Sequence, residues 1–304
     1  MSESNWLSNI LSTCESTLSR TRGGLLVVVP DSELSVARDL LVGYPWAVAV
    51  SETYFVPELN VLRISLLSGW FKQQLIKLFA YRRVESEYVL FMDADNICTL
   101  PSGGGIAGML EMGDSDITAR KRRLHTCMEP LDGWYGSVQY QRSAETLKLE
   151  ATLEKSDAAV GWTPQLLSTE GCEVAVEFLL GHLGMDLEEF MFLGQNGQWT
   201  EYAAYFLGLR AAGRWDEFHT EIHAGPIDGG KSSMSSALAM LRGTSQKRGC
   251  GHVRVNDVDA LKRELQVGQV PFIMCDDHKI TAEAAAKVIE ELSPSYSTVS
   301  NQTK

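Results

Sequence analysis

The stretch Tyr88-Val89-Leu90-Phe91-Met92-Asp93-Ala94-Asp95-Asn96 decides the reading of this chain. Tyr88 to Met92 is short, β-prone and apolar at every position, the pattern of a strand buried on both faces. Two carboxylates at i and i+2 follow at once. In open α/β sheets, ligands bind outside the carboxyl ends of the strands. Two carboxylates held close at such an edge call for a compensating cation. A hard divalent ion with room left for substrate phosphates, Mg²⁺ or Mn²⁺, meets that need. The chemistry indicated is that of phosphate esters or nucleotide diphosphates. The competing reading makes Asp93 and Asp95 turn formers at a strand end.

Working upstream, Leu25 to Val29 is a second apolar run, read as the first core strand, with Pro30-Asp31-Ser32 as turn and cap and a helix over 33–41. Trp46 to Val50 is a third strand, ending at Ser51-Glu52. Ser68 caps a helix whose Phe71, Leu75, Leu78 and Phe79 share one face, with Lys72, Gln73 and Lys77 interleaved. The order strand–helix–strand–helix–strand predicts an α/β fold with an open, mostly parallel sheet flanked by helices. Residues 1–20 are expected to form a short helix packed on it.

Downstream, Pro101 to Gly105 is a loop without the lysine of a phosphate-binding loop. Ile117-Thr118 is read as strand, 139–153 as helix, 161–164 as a strand entry, and 170–183 and 201–212 as helices. Strands at 253–255 and 270–274, with helices over 257–265 and 281–292, predict a C-terminal α/β extension. The expected division is a catalytic domain over 1–244, the extension over 245–292 packed on it, and a disordered Ser/Thr/Pro-rich tail over 293–304.

Composition narrows the partners. The formal charge of −12, with Arg120 to Arg123 as the one basic cluster, argues against nucleic acid. Six scattered cysteines without C-x-x-C form neither a zinc framework nor a disulfide scaffold. The polar N-terminus and the lack of a membrane-length apolar run predict a cytoplasmic protein, at most peripheral at a membrane.

Three constellations could carry chemistry. Pro30-Asp31 and Ser51-Glu52 are expected on the sheet edge of Asp93, where a nucleobase or ribose could lie. The alternative is that Asp31 and Ser32 only cap a helix. In Trp199-Thr200-Glu201-Tyr202, Thr200 is a candidate N-cap and Glu201 falls in the first turn, where the helix dipole favours a carboxylate. The sharper reading makes Glu201 a general base aimed at an acceptor hydroxyl between aromatic rings. Between His219 and Lys231, His223 or His219 could ligate a metal. The Gly229-Gly230-Lys231 end of that loop could approach a diphosphate.

Taken together, the first strand with Pro30-Asp31, the segment Gly69 to Leu78, Leu90 to Asp95, Trp162 to Leu167 and Trp199 to Tyr202 resemble a nucleotide-sugar glycosyltransferase of the GT-A fold. They are similar to a little-characterised group of such proteins found in bacteria, algae and large algal viruses. The resemblance covers residues 24–235. It implies a Rossmann-type GT-A domain that moves a sugar from a nucleotide-diphosphate donor, a UDP-sugar by family precedent, to a glycan or other hydroxyl acceptor. It also implies that Asp93 contacts ribose and metal, and that Asp95 is the principal ligand of Mn²⁺ or Mg²⁺. His223 with Gly225 and Lys231 resembles the His-x-x-Gly-x-x-Lys element of glycogenin-like families, at altered spacing. Lys72, Gln73 and Ala94 would line the donor's place, and Glu201 falls where inverting enzymes carry their base. Two alternatives stand beside it. One is a haloacid-dehalogenase-type phosphatase using Asp93 and Asp95, with Asp276-Asp277 as its second pair. The other is a catalytically silent GT-A-like glycan-binding protein.

Overall fold

A computed structural model describes residues 7–13, 24–57, 67–98, 123–130, 134–150, 158–160, 165–193, 199–223, 252–267, 272–275 and 279–299. In chain order, the first elements are α1 (residues 7–13), β1 (Leu25–Val29), α2 (Leu34–Leu41), β2 (Ala47–Ser51), α3 (Glu52–Phe55), α4 (Gly69–Phe79), β3 (Tyr88–Phe91) and β4 (Asn96–Cys98). Then come β5 (Leu124–Pro130), α5 (Trp134–Thr146), β6 (Ala158–Val160), β7 (Gln165–Ser168), α6 (Thr169–Leu183), α7 (Leu187–Leu193), α8 (Glu201–Ala211), α9 (Trp215–Phe218) and β8 (His219–His223). The last are β9 (His252–Val255), α10 (Val258–Val267), β10 (Phe272–Cys275) and α11 (Ala282–Val299). The class is mixed α/β, and the chain divides into two compact units.

One unit comprises Met1–Val50, Met92–Met109 and Ile227–Lys304. Within it β1 pairs with β2, and Leu11, Ala37, Leu41, Ala47 and Ala49 close a core between the strands, α1 and α2. A second small sheet runs β4-β10-β9, with β10 antiparallel to β4 and parallel to β9. Its core joins Ile97, Val255 and Cys275 to Leu261 and Leu265 of α10 and Ala285 and Val288 of α11. Of the two strands expected in the C-terminal extension, β10 is therefore the hydrogen-bonded partner of β4, the strand that directly follows Asp95, and β9 pairs with β10.

The other unit comprises Ser51–Phe91 and Leu110–Pro226. Ser68 caps α4, its Oγ accepting from the Phe71 N–H at 3.2 Å. Phe71, Leu75, Leu78 and Phe79 are all buried, as their spacing predicts. Thr200 caps α8 in the same way, accepting from Ala203 N–H at 3.1 Å. Helices α6 and α8 cross at small residues, where a Cβ on Gly208 would lie 3.2 Å from Ala175.

Several expectations change. β3 stops at Phe91, and its residues are half-buried rather than enclosed on both faces. Its partner is β7, antiparallel, with Leu90 opposite Leu166. The fourth described sheet, β6-β5-β8, is antiparallel on one side and parallel on the other. The described strands thus form four small sheets, two of them mixed, instead of one mostly parallel array. Helix α5 begins at Trp134 and ends at Thr146, not at 153, because Lys148 turns left-handed at φ 52°. Helix α11 runs on to Val299 through the segment expected to be disordered. Pro294 forfeits one backbone bond there without ending the helix. The readings of Pro101 to Gly105, Ile117-Thr118, Arg120 to Arg122 and 161–164 lie outside the described residues.

Candidate functional site

Asp93, Ala94, Asp95 and Asn96 form a tight turn, closed by the Asn96 N–H donating to the Asp93 carbonyl at 3.1 Å. It directly follows β3 and opens β4, whose pairing holds its far side. The Cys275 N–H of β10 donates to the Asp95 carbonyl at 3.0 Å. Ala94 packs against the apolar cluster around Ile97. Asn96 is fully buried. Its Nδ2 donates to the Asp93 carbonyl at 3.0 Å and to Asp95 Oδ1 at 3.1 Å, while its Oδ1 is buried without a hydrogen-bond partner. Sequence reading quoted Asn96 but gave it no role. An Asx side chain ending a turn was the available signal.

Asp93 and Asp95 are both half-buried. Among the described residues, no group of three or more His, Cys, Asp or Glu side chains could hold a metal ion. Two carboxylates suffice for Mg²⁺ or Mn²⁺, which keep waters and take further oxygens from substrate phosphates. The hard oxygen donors of this turn, with an orphaned buried acceptor beside them, fit such an ion. His223 ends β8, and its side chain, like Gly225, Lys231 and the Asp276-Asp277 pair, lies outside the described residues.

The remaining candidates are tied into local structure. Pro30 precedes a 3-10 turn over Asp31–Glu33, its carbonyl accepting from the Glu33 N–H at 2.9 Å. Asp31 is exposed and lies within that turn, and the N-cap position of α2 is Glu33, without a side-chain cap bond. Ser51 caps α3, accepting from the Tyr54 N–H at 3.3 Å. Lys72 donates to Glu52 Oε2 at 2.9 Å, and Gln73 is exposed.

Glu201 falls in the first turn of α8, as its position after Thr200 predicts, and is 3% exposed. Its Oε1 lies 3.1 Å from Lys77 Nζ of α4, and its backbone N–H donates to Gln74 Oε1 at 3.3 Å. Lys77 Nζ in turn sits 5.6 Å from the Tyr202 ring centre. Trp199 is buried edge-on to Phe71 and stacked on Phe190, so it serves the core rather than stacking on sugar.

His219, the alternative metal ligand, is a core residue. Its Nδ1 lies 2.6 Å from Thr126 Oγ1 and its Nε2 2.6 Å from the Tyr205 hydroxyl. The ring of Trp215 stacks on it at 3.8 Å. The Ser168 N–H donates to the Tyr205 oxygen, so every group is satisfied when Tyr205 gives its proton to Nε2 and Nδ1–H donates to Thr126. Burial lowers the His219 pKa to about 3 and raises that of Tyr205 well above its usual value. With both ring nitrogens used, His219 has no lone pair left for a metal.

A cleft of about 690 Å³ opens at the amino end of β3, around Tyr88, Ser168 and Thr169. The cleft contains none of the candidates above. Its lining carries Glu85, Glu87, Glu170 and Glu173 against Arg82, a charge balance that repels a diphosphate. Chemistry, not hollow space, therefore selects the turn as the candidate site.

These features define a mixed α/β protein with a paired-carboxylate turn between two strands. Residues 13–235 match the model of DUF6492, a family of unknown function, and the chain belongs to that family. No curated protein and no solved structure matches it significantly. Among the described residues, no helix is long and apolar enough to cross a membrane.

Proposed function

We propose that this protein is a metal-dependent glycosyltransferase of GT-A type, moving a sugar from a nucleotide-diphosphate donor, a UDP-sugar by resemblance, to a glycan or other hydroxyl acceptor. The observation that carries the reading is the Asp93–Asn96 turn, which sets two carboxylates directly after a strand and ties one of them to a buried amide. Asp95 and Asp93 would hold Mn²⁺ or Mg²⁺. When bound, the cation would carry charge developing on the departing nucleoside diphosphate. Ala94 keeps the turn seated on the apolar cluster beneath it.

Glu201 enters this reading as a buried carboxylate neutralised by Lys77. To act as base it would have to exchange Lys77 for the acceptor hydroxyl. Inversion at the anomeric carbon is the outcome expected in that case. Lys72 reaches a donor only by releasing Glu52.

The test is UDP release from a panel of UDP-sugars, measured in Mn²⁺ and in EDTA. The expected result is metal-dependent release by the wild type that Asp95→Ala abolishes. Equal release in EDTA, or an unimpaired Asp95→Ala chain, would refute the proposal.

A further inference from the structure

We infer that Asn96 is a positioning residue for the cation site, a role that rests on the metal-dependent reading of the Asp93–Asn96 turn. The geometry carries it. One amide nitrogen spans two acceptors of the turn, the Asp93 carbonyl at 3.0 Å and Asp95 Oδ1 at 3.1 Å. The backbone N–H of the same residue already closes the turn onto the Asp93 carbonyl. Closing the turn therefore does not need the side chain. What the side chain adds is the tether on Asp95.

The tether has a chemical consequence. The amide bond to Oδ1 fixes the orientation of the Asp95 carboxylate, while the carbonyl of Asp95 is held by the Cys275 N–H of β10 at 3.0 Å. Both ends of the residue are anchored, one by a side chain and one by a strand. A carboxylate fixed in this way loses little freedom when it takes up a cation.

The choice of asparagine also needs an explanation. Asn96 is wholly buried, and its Oδ1 is left without a donor. Buried acceptors are rarely left so, and a hydroxyl at this position could satisfy the Asp93 carbonyl without stranding an oxygen. A serine or threonine hydroxyl, however, has one hydrogen to donate and can bond to one of the two acceptors at a time. The asparagine amide nitrogen has two and bonds to both at once. The orphaned Oδ1, on the same carbon as Nδ2, is retained with that second donor.

The experiment compares wild type, Asn96→Ser, Asn96→Thr and Asp95→Ala by Mn²⁺ titration followed by electron paramagnetic resonance, in saturating UDP. Circular dichroism reports the fold, and calorimetry of UDP in EDTA reports the metal-independent affinity. Both hydroxyl variants should fold and bind UDP in EDTA as wild type does, yet bind Mn²⁺ about 10- to 100-fold more weakly, the usual loss for a group that orients a ligand. Folded variants with wild-type Mn²⁺ affinity overturn the role of Asn96 alone, provided Asp95→Ala still abolishes binding. Loss of folding in both hydroxyl variants assigns Asn96 to stability and also overturns it. Equal Mn²⁺ binding by wild type and Asp95→Ala refutes the metal reading of the turn, and the role of Asn96 with it.

Discussion

Glu201 and His219 are the two residues whose surroundings state their roles most directly. A first-turn carboxylate at an exposed site gains about 0.3–1 kcal/mol from the helix dipole. Glu201 is buried and paired with Lys77 across α4 and α8. Removing one member of a buried pair leaves the other charge uncompensated and costs about 3–5 kcal/mol, whereas replacing both with apolar residues is often neutral. Glu201→Gln should therefore lower unfolding stability by about that amount in urea titrations, and adding Lys77→Met should restore most of it. A Glu201→Gln chain as stable as wild type but without turnover would instead make Glu201 the base. His219 gives a pH prediction. Its pKa falls from an ordinary 6.5 to about 3 on folding because burial penalises the imidazolium. Below pH 6.5 the unfolded chain takes up the proton and the folded chain does not. Stability is complete above pH 6.5 and is lost as pH falls towards 3, by about 2 kcal/mol at pH 5. His219→Gln should remove that part of the slope between pH 6.5 and 5, where carboxylates are still ionised. An unchanged slope would mean that His219 is not held neutral in the core.

Helix α6 shows what an element carries that its own sequence does not announce. Its start is local: Ser168 Oγ accepts from the Gly171 N–H at 3.1 Å. Its end is local too, at Gly184 with φ 63°. Gly171 has a different reason to be glycine. A Cβ there would come within 2.6 Å of the Tyr205 hydroxyl, which is fixed between Ser168 and His219. Gly171→Ala should displace that hydroxyl and destabilise the chain by about 1–3 kcal/mol, the range for overpacking. A smaller loss from Gly171→Ala in a Tyr205→Phe background than in the wild type would identify the hydroxyl as the point of conflict, and a fully stable single variant would contradict it. The same contrast explains what was legible beforehand. Ser68, Thr200 and the apolar stripe of α4 are signals within a few residues, and they located their helices. The partner of β3 is β7, separated by a long stretch of chain, and β4 was not recognised because three residues have no period of their own. The end of α5 was missed because its left-handed residue is Lys148 rather than glycine. Helix α7 was missed because seven residues hold too few repeats to establish a periodicity. At the site, the carboxylate pair was legible as a motif. The neutralisation of Glu201 by Lys77 was not, since it depends on how α4 and α8 pack.

At the scale of the whole chain, ligand binding and folding draw on one free energy. A ligand that binds only the folded state stabilises it by about 2.7 kcal/mol at a concentration 100 times its Kd. For chains of this order of size, a kilocalorie raises the melting temperature by about 2–4 °C. If the Asp93–Asn96 turn holds a cation that bridges donor phosphates, UDP with Mn²⁺ should raise melting by roughly 5–10 °C at that saturation. UDP in EDTA and Mn²⁺ alone should each do markedly less, because each then lacks half of its ligand set. Asp95→Ala should melt within a few degrees of wild type when unliganded and lose the combined shift, since its side chain is only half-buried. Inorganic phosphate or vanadate with Mg²⁺ forms the opposing arm. A haloacid-dehalogenase-type phosphatase would be stabilised by these anions and indifferent to the nucleoside. A shift produced by orthovanadate but not by UDP would move the Asp93 and Asp95 pair to phosphoester hydrolysis. A UDP shift that persists in EDTA, or in Asp95→Ala, would detach nucleotide binding from the turn altogether.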